Sequence, residues 1–200
     1  MKKTLLYMFT LLLCALLMAA LPVSGEEKIY TSVVRLHVLA NSDEEADQAL
    51  KLLVRDEILK EYGPLLAQEE NIEDSVERIG TLLPAIQKTA EGVVKREGYA
   101  YTVSCSFGEE KYPERQYGDY AFPAGTYLSL RISIGEGVGQ NWWCVLFPPL
   151  CLDMAKGEIL TDDALAVGLT SEEYKLISGN KNGGYMLKFK ALELLEGAFR

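Results

Sequence analysis

The chain has 200 residues, with 29 acidic and 20 basic side chains, so its formal net charge is −9 at pH 7. A surplus of negative charge opposes binding to nucleic acid and to anionic lipid surfaces, and we expect neither as a partner. The length suits one domain, and neither an internal repeat nor a Gly/Ser-rich linker divides the sequence.

The N-terminus has the pattern of an export signal. Two lysines precede an uncharged apolar run at residues 5–21, and small residues at 23–25 suit cleavage by a signal peptidase. We therefore expect residues 1–25 to be a signal peptide and residues 26–200 to be a single extracytoplasmic signalling domain with a formal charge of −11. An uncleaved N-terminal anchor is the alternative, because the apolar run is slightly shorter than the roughly 18 to 20 residues of an unaided membrane span.

The first half of the chain predicts one strand followed by two helices. Residues 29–40 alternate between two faces, and residues 43–62 repeat apolar side chains at helical spacing up to Gly63-Pro64. Asn71 is a favourable N-cap for a second helix, which Pro84 is expected to kink or divide before Gly98.

The second half predicts mostly strands. Residues 99–107, 126–134 and 141–147 have strand patterns, and the Tyr-, Pro- and Gly-rich residues 111–125 form an ordered loop. Glycines 135, 137 and 139 between the last two strands predict a hairpin. A short helix after Thr170 and a strand at 185–190 complete an α+β domain, with a mostly antiparallel sheet and helices packed on one face.

The cysteines predict one disulfide. Cys144 and Cys151 enclose six residues, including Pro148 and Pro149, which favour a bend that brings the sulfurs together. Reduced thiols or metal ligation are the alternatives. Cys105 lies in an alternating segment and is expected to be a buried small residue.

The sequence offers weak candidates for catalysis or for a cofactor. His37 is the only histidine, and beside Arg35 on one face of a strand it predicts a polar patch rather than a catalytic base. A thiol triad of Cys144, His37 and Asn141, or a zinc site that adds Cys105 and Cys151, requires a convergence that no spacing indicates. The glycines do not match a nucleotide-binding motif, so we assign no catalytic residue, metal or cofactor.

Two further patterns concern the surface. Asp47 and Lys51 stand four residues apart and Arg55 adjoins Asp56, which predicts a solvated helix face with weak ion pairs. Trp142 and Trp143 are neighbours on a strand and must point to opposite faces. One of them therefore packs beneath the Tyr-rich loop or meets a partner.

Several segments resemble the stage II sporulation protein R family. The first runs from Val34 to Asp43 and is followed by Asp47-Gln48 and Val54-Arg55-Asp56. The later ones are Tyr117-Gly118, residues 123–127 and residues 137–151. The likeness covers roughly residues 30 to 151 and fades beyond them.

This resemblance implies a signalling protein of endospore-forming bacteria that is exported from the forespore into the space between forespore and mother cell. Its implied partner is a membrane-embedded aspartic-type protease, stage II sporulation protein GA, which processes the sigma-E precursor. The protein would then be a ligand and not an enzyme, and would meet the membrane only through its export signal. A cell-envelope thiol or hydrolytic enzyme and a peptidoglycan-binding module remain as alternatives.

We expect the partner to bind where polar groups and one unaccounted tryptophan gather in the sequence. This predicted contact surface consists of His37, Asn41, Asp43, Arg55, Asp56, Gly139, Asn141, Trp142 and Trp143.

Overall fold

The structure, a computed structural model, describes residues 2–19, 26–117 and 120–150 together with residues 169, 170, 173 and 177. The predictions for Cys151, for most of the stretch after Thr170 and for residues 185–190 lie outside these described residues. In the described part of the chain, no helix has the length and apolar character needed to cross a membrane. The elements in chain order are α1 Lys2–Ala19, α2 Glu26–Ser32, β1 Val34–Leu39, α3 Glu45–Leu66, α4 Ile72–Arg96, β2 Val103–Tyr112, β3 Arg115–Tyr117, β4 Tyr120–Phe122, β5 Gly125–Ile134 and β6 Asn141–Phe147.

The main sheet has four strands in the order β2-β5-β1-β6, and β3 and β4 form a separate two-stranded sheet. Strand β1 runs parallel to β5 and antiparallel to β6, while β2 is antiparallel to β5. The predicted α+β class with a mostly antiparallel sheet is therefore confirmed. The predicted hairpin between β5 and β6 is wrong, because β1 lies between them.

Because β1 lies between β5 and β6, the glycine loop after β5 crosses over the end of β1 instead of forming a hairpin. Gly135 and Gly137 have φ of +60° and +63°, a conformation that favours glycine. The Gly139 N–H donates to the Ala40 carbonyl at 3.0 Å, and a Cβ at Gly139 would fall on the Ser42 carbonyl oxygen. The glycines therefore let two backbone segments cross closely.

The two faces of the sheet carry two separate hydrophobic clusters. The first cluster joins Leu36 and Val38 of β1 to buried residues of α3 and α4. The second cluster, on the other face, contains Ile29 of α2 and Tyr127 of β5. The two long helices thus pack on the first cluster, whereas the short helix α2 belongs to the second.

Several local predictions differ from the structure. The predicted loop at residues 111–125 contains the short paired strands β3 and β4. Residues 29–32 belong to helix α2 and not to the first strand, and α3 passes through Gly63 and Pro64 to end at Leu66. The buried side chains of Tyr62 and Leu66 hold this last turn against the core, so packing outweighs the hydrogen bond that a proline cannot donate. Helix α4 is continuous through Pro84, so the predicted division into two helices does not occur.

The predicted start of α4 is correct. The Asn71 side chain accepts a hydrogen bond from the Asp74 N–H at 2.8 Å.

Candidate functional site

The second face of the sheet is only half covered. The strand register places Ser106, Arg131, His37 and Trp143 in one row across β2, β5, β1 and β6. The next row toward the glycine loop is Ser104, Ser133, Leu39 and Asn141. We call these two rows, with Gly108 and Glu110, the open face. The end of this face that carries the second cluster is buried. At the other end the exposed residues are Ser104, Ser106, Gly108, Arg131 and Asn141.

A hydrogen-bonded network centred on His37 crosses this face. His37 Nδ1 lies 2.9 Å from Glu110 Oε1, and His37 Nε2 lies 2.8 Å from Asn141 Oδ1. Ser129 donates to Glu110 Oε2 at 2.8 Å, and Arg131 Nη1 donates to Oε1 at 3.3 Å. His37 is 6% exposed. Both ring nitrogens are therefore engaged, and neither faces a nucleophile.

The two tryptophans point to opposite faces, as predicted. Trp143 lies on the open face, with its ring centroid 5.4 Å from that of His37 and 3.9 Å from the Arg115 guanidinium carbon. Trp142 packs against the first cluster, and the Arg55 guanidinium carbon lies 4.8 Å from its centroid. Each half-buried indole is thus covered by an arginine.

Arg55 and Asp56 form an ion pair on α3. Arg55 Nη2 and Asp56 Oδ1 are 2.6 Å apart, and the Asp56 side chain is 53% exposed. This pair and Trp142 lie on the first-cluster side of the sheet, away from His37. The predicted contact surface is therefore divided between two sides of the domain.

Asn41 and Gly139 lie at the crossing of the two loops. Asn41 Nδ2 donates to Asp47 Oδ2 at 2.8 Å, and Asn41 Oδ1 accepts from the Glu136 N–H at 3.1 Å. The side chain thereby ties the end of β1 to α3 and to the glycine loop. Asp43 nearby is exposed. The contacts of Asn41 and Gly139 identify both as residues that hold the fold at this edge.

The predicted solvated helix face at Asp47 and Lys51 is wrong, because both side chains are buried. Hydrogen bonds from Ser42 and then Asn41 lower the pKa of Asp47. Lys51 Nζ donates to the Gln140 carbonyl at 2.9 Å, and burial lowers the Lys51 pKa. The two residues fasten α3 to the crossing loops and not to one another.

Arg35, predicted to share a polar patch with His37, is instead fully buried among aromatic rings. Its guanidinium carbon lies 4.5 to 5.6 Å from four ring centroids, those of Tyr112, Tyr117, Phe122 and Tyr127. Its Nη2 donates to the Tyr117 hydroxyl at 2.8 Å and its Nε to the Cys144 carbonyl at 3.2 Å. Arg35 therefore joins β3 and β4 to the main sheet.

Of the cysteines that the structure describes, Cys105 and Cys144 do not assemble with His37. Cys144 is buried in the first cluster and pairs with Leu36, whereas His37 points to the opposite face. A sheet thus separates Cys144 from His37, which rules out their joint use in a triad or as ligands of one zinc ion. Cys105 packs on the first cluster, and burial raises its pKa to about 12. The Cys144–Cys151 bridge stays a prediction, since Cys151 lies outside the described residues.

Sequence reasoning missed Glu110, Ser129 and Arg131. Alternation along β2 does place Glu110 on the same side as Ser106 and Gly108, which is a usable local signal. Its contact with His37, however, depends on β5 lying between β2 and β1, and no local pattern reveals that order.

The fold and site define an α+β domain with a half-open sheet face and a hydrogen-bonded network in which the His37 ring nitrogens contact Glu110 and Asn141. Comparison with known proteins then gives the family. The family model for stage II sporulation protein R matches residues 30–156. Stage II sporulation protein R of Bacillus subtilis (strain 168) is 37% identical over 172 residues, covering 81% of this chain and 77% of that protein. The chain belongs to the stage II sporulation protein R family. No solved structure matches it.

Proposed function

We propose that this protein is an exported signalling factor of sporulation. In this proposal it crosses the forespore membrane by its N-terminal signal and acts in the space between forespore and mother cell. There it activates the membrane-embedded protease stage II sporulation protein GA, which processes the sigma-E precursor. The observation that carries the proposal is membership of the stage II sporulation protein R family over most of the chain.

An activator needs no chemistry of its own, because it acts by binding one state of its target more tightly than another. About 5.5 kcal/mol of differential affinity drives a nearly complete switch, and a smaller difference suffices for partial activation. We favour stabilisation of a protease dimer as the form of this switch. The half-open sheet face supports the proposal, since a polar surface beside Trp143 and Arg115 resembles the composition of protein interfaces.

The arrangement of His37 argues against the envelope-enzyme alternative. Its Nε2 contacts the Asn141 amide, and Cys144 lies on the other side of the sheet. A general base must reach the proton that it removes, directly or through one water. His37 is 6% exposed and bonds only within the domain through both ring nitrogens, so it offers a partner little surface. Folded His37→Gln and Cys144→Ala variants should therefore keep their activity.

The peptidoglycan-binding alternative would use an open aromatic face as a platform for sugar rings. Arg115 lies 3.9 Å from the Trp143 centroid and Arg55 lies 4.8 Å from the Trp142 centroid. A guanidinium over each indole competes with such stacking. Sedimentation of the purified chain with peptidoglycan tests this alternative, and we expect the protein to stay in the supernatant.

Co-expression in a non-sporulating host tests the proposed function. The full chain is expressed with the protease and the sigma-E precursor, and cleavage is followed by the gel mobility of the precursor. A matched version without residues 1–25 remains inside the cell. We expect cleavage with the exported chain and none with the matched version, and equal cleavage by both would refute the requirement for export.

A further inference from the structure

We propose that the outer edge of strand β2 is the docking site for the protein partner, and that an extended partner segment adds to the sheet there as a further strand. The inference rests on the proposed function and assigns the residues that perform it. The occupant is a segment with a basic side chain opposite Glu109.

The hydrogen-bonding direction of β2 is fixed by two contacts. The Gly135 N–H donates to the Thr102 carbonyl at 2.8 Å, so even-numbered residues of this strand exchange hydrogen bonds with β5. The Cys105 N–H instead points outward, where it donates to the Gln87 side chain at 3.4 Å. The odd-numbered residues therefore direct their backbone groups to the outer edge.

Among the described residues, this outer edge is open beyond Cys105. Gln87 of α4 covers one outward N–H, whereas Phe107, Glu109 and Lys111 continue the strand with no paired strand in the described part of the chain. Glu109 and Lys111 are exposed, and β2 is ten residues long. Unpaired outward backbone groups are what an added strand requires.

A cavity beside this edge gives the added segment a place for one side chain. It has a volume of about 160 Å³ and is lined by Ser106, Gly108, Glu110, Ser129 and Arg131, with Phe107 and Glu109 at the edge. A Cβ placed on Gly108 would meet no atom within 4 Å, so the glycine leaves this space open.

Charge selects between the two classes of occupant. Residues 26–200 carry a formal charge of −11, which opposes the association of two copies and favours a basic partner. A basic side chain opposite the exposed Glu109 would form a cross-strand pair of opposite charges. The Glu110 carboxylate lines the cavity beside the Arg131 guanidinium, and the exposed Glu109 side chain lies at the edge on the first-cluster side of the sheet. A basic partner segment is therefore favoured over self-association.

Glu109→Pro is the decisive variant. Proline removes the outward N–H at position 109 while the hydrogen bonds to β5 come from the neighbouring even-numbered residues, and proline is tolerated on edge strands in this orientation. Glu109→Ala keeps the N–H and isolates the contribution of the charge. Gly108→Val fills the cavity and has favourable strand propensity, so it provides a second variant that should fold. Gly92→Ala, at an open position on α4, is the matched control.

The readout is precursor cleavage in the co-expression assay, together with capture of the solubilised protease by the full chain. We expect Glu109→Pro and Gly108→Val each to reduce capture about tenfold, the loss expected for one or two interface hydrogen bonds or a blocked side chain. Circular dichroism should remain that of the wild type, and the Gly92→Ala control should bind normally.

Three results would overturn the inference. The first is normal capture by both folded variants, with wild-type activity intact, which leaves the proposed function standing. The second is a wild-type dimer that Glu109→Pro dissociates without any effect on capture, which would make a second copy the occupant. The third is failure of the wild-type chain to activate the protease, in which case the proposed function and this inference fall together.

Discussion

The buried guanidinium of Arg35 leads to a prediction about what stabilises the second cluster. Arg35 is fully buried and is surrounded by aromatic rings, with hydrogen bonds to the Tyr117 hydroxyl and the Cys144 carbonyl. Arg35→Ala removes both donors and leaves a cavity, whereas Arg35→Met removes the same donors but keeps most of the volume. Comparing the two variants therefore separates packing from hydrogen bonding and charge.

The magnitudes follow from these contacts. Burial of a charge away from water costs several kcal/mol, and both variants recover that cost. Both also lose two hydrogen bonds from a charged group, at about 1.5–3 kcal/mol each. The free energy of unfolding of the methionine variant should therefore lie within about 2 kcal/mol of the wild-type value, since these effects offset one another. The alanine variant should be less stable than the methionine variant by about 2–5 kcal/mol, the usual cost of truncating a buried Met-sized side chain.

Urea denaturation of the purified chain, followed by circular dichroism, measures both free energies of unfolding. Equal losses of unfolding free energy in the two variants would contradict this prediction, because charge and hydrogen bonds would then outweigh the packing of the side chain against the rings.

Three further predictions follow from the crossing loops and the thiols. Gly139→Ala should lower the free energy of unfolding by about 1–3 kcal/mol, because the added Cβ would fall on the Ser42 carbonyl. Gly92→Ala should raise the free energy of unfolding by about 0.5–1 kcal/mol, because alanine is favoured over glycine inside a helix. Urea midpoints that move in the same direction in the two variants would contradict this. Hydrogen bonds lower the folded-state pKa of Asp47 below its usual 3.8, so its stabilisation is present above that value and is lost as the pH falls through the lower folded-state pKa. The slope of unfolding free energy against pH below pH 5 should be shallower in Asp47→Asn, and an unchanged slope would count against the assignment. Cys105, with its pKa raised to about 12, should resist alkylation by iodoacetamide at pH 8 in the native chain and react in urea, as measured by mass spectrometry.

The α+β class and the helix cap at Asn71 could be predicted because they depend on local patterns. The opposite orientation of the two tryptophans follows from strand geometry alone. The hairpin predicted from glycines 135, 137 and 139 does not form, because these glycines fit a tight turn and a close backbone crossing equally well in sequence. The presence of β1 between β5 and β6 decides between them, and that is a long-range fact.

The candidate site could be predicted only in part, because it too depends on the order of the strands. His37 and Asn141 were both named from their local surroundings, and the structure brings them into contact. Glu110 and Arg131 reach His37 only through the order of the strands. The burial of Asp47 and Lys51 likewise depends on the loop that crosses over β1, so the ion-paired helix face predicted from i, i+4 spacing did not form.

Vesicles that carry the protease, with the sigma-E precursor enclosed, provide a test of activation across a membrane. The purified full chain is added to the face of the membrane opposite the precursor, and cleavage is measured against its concentration. We expect cleavage that saturates with added chain and is unchanged by His37→Gln. No cleavage at any concentration, or cleavage only when the chain is enclosed with the precursor, would contradict the claim that this protein activates the protease from across the membrane.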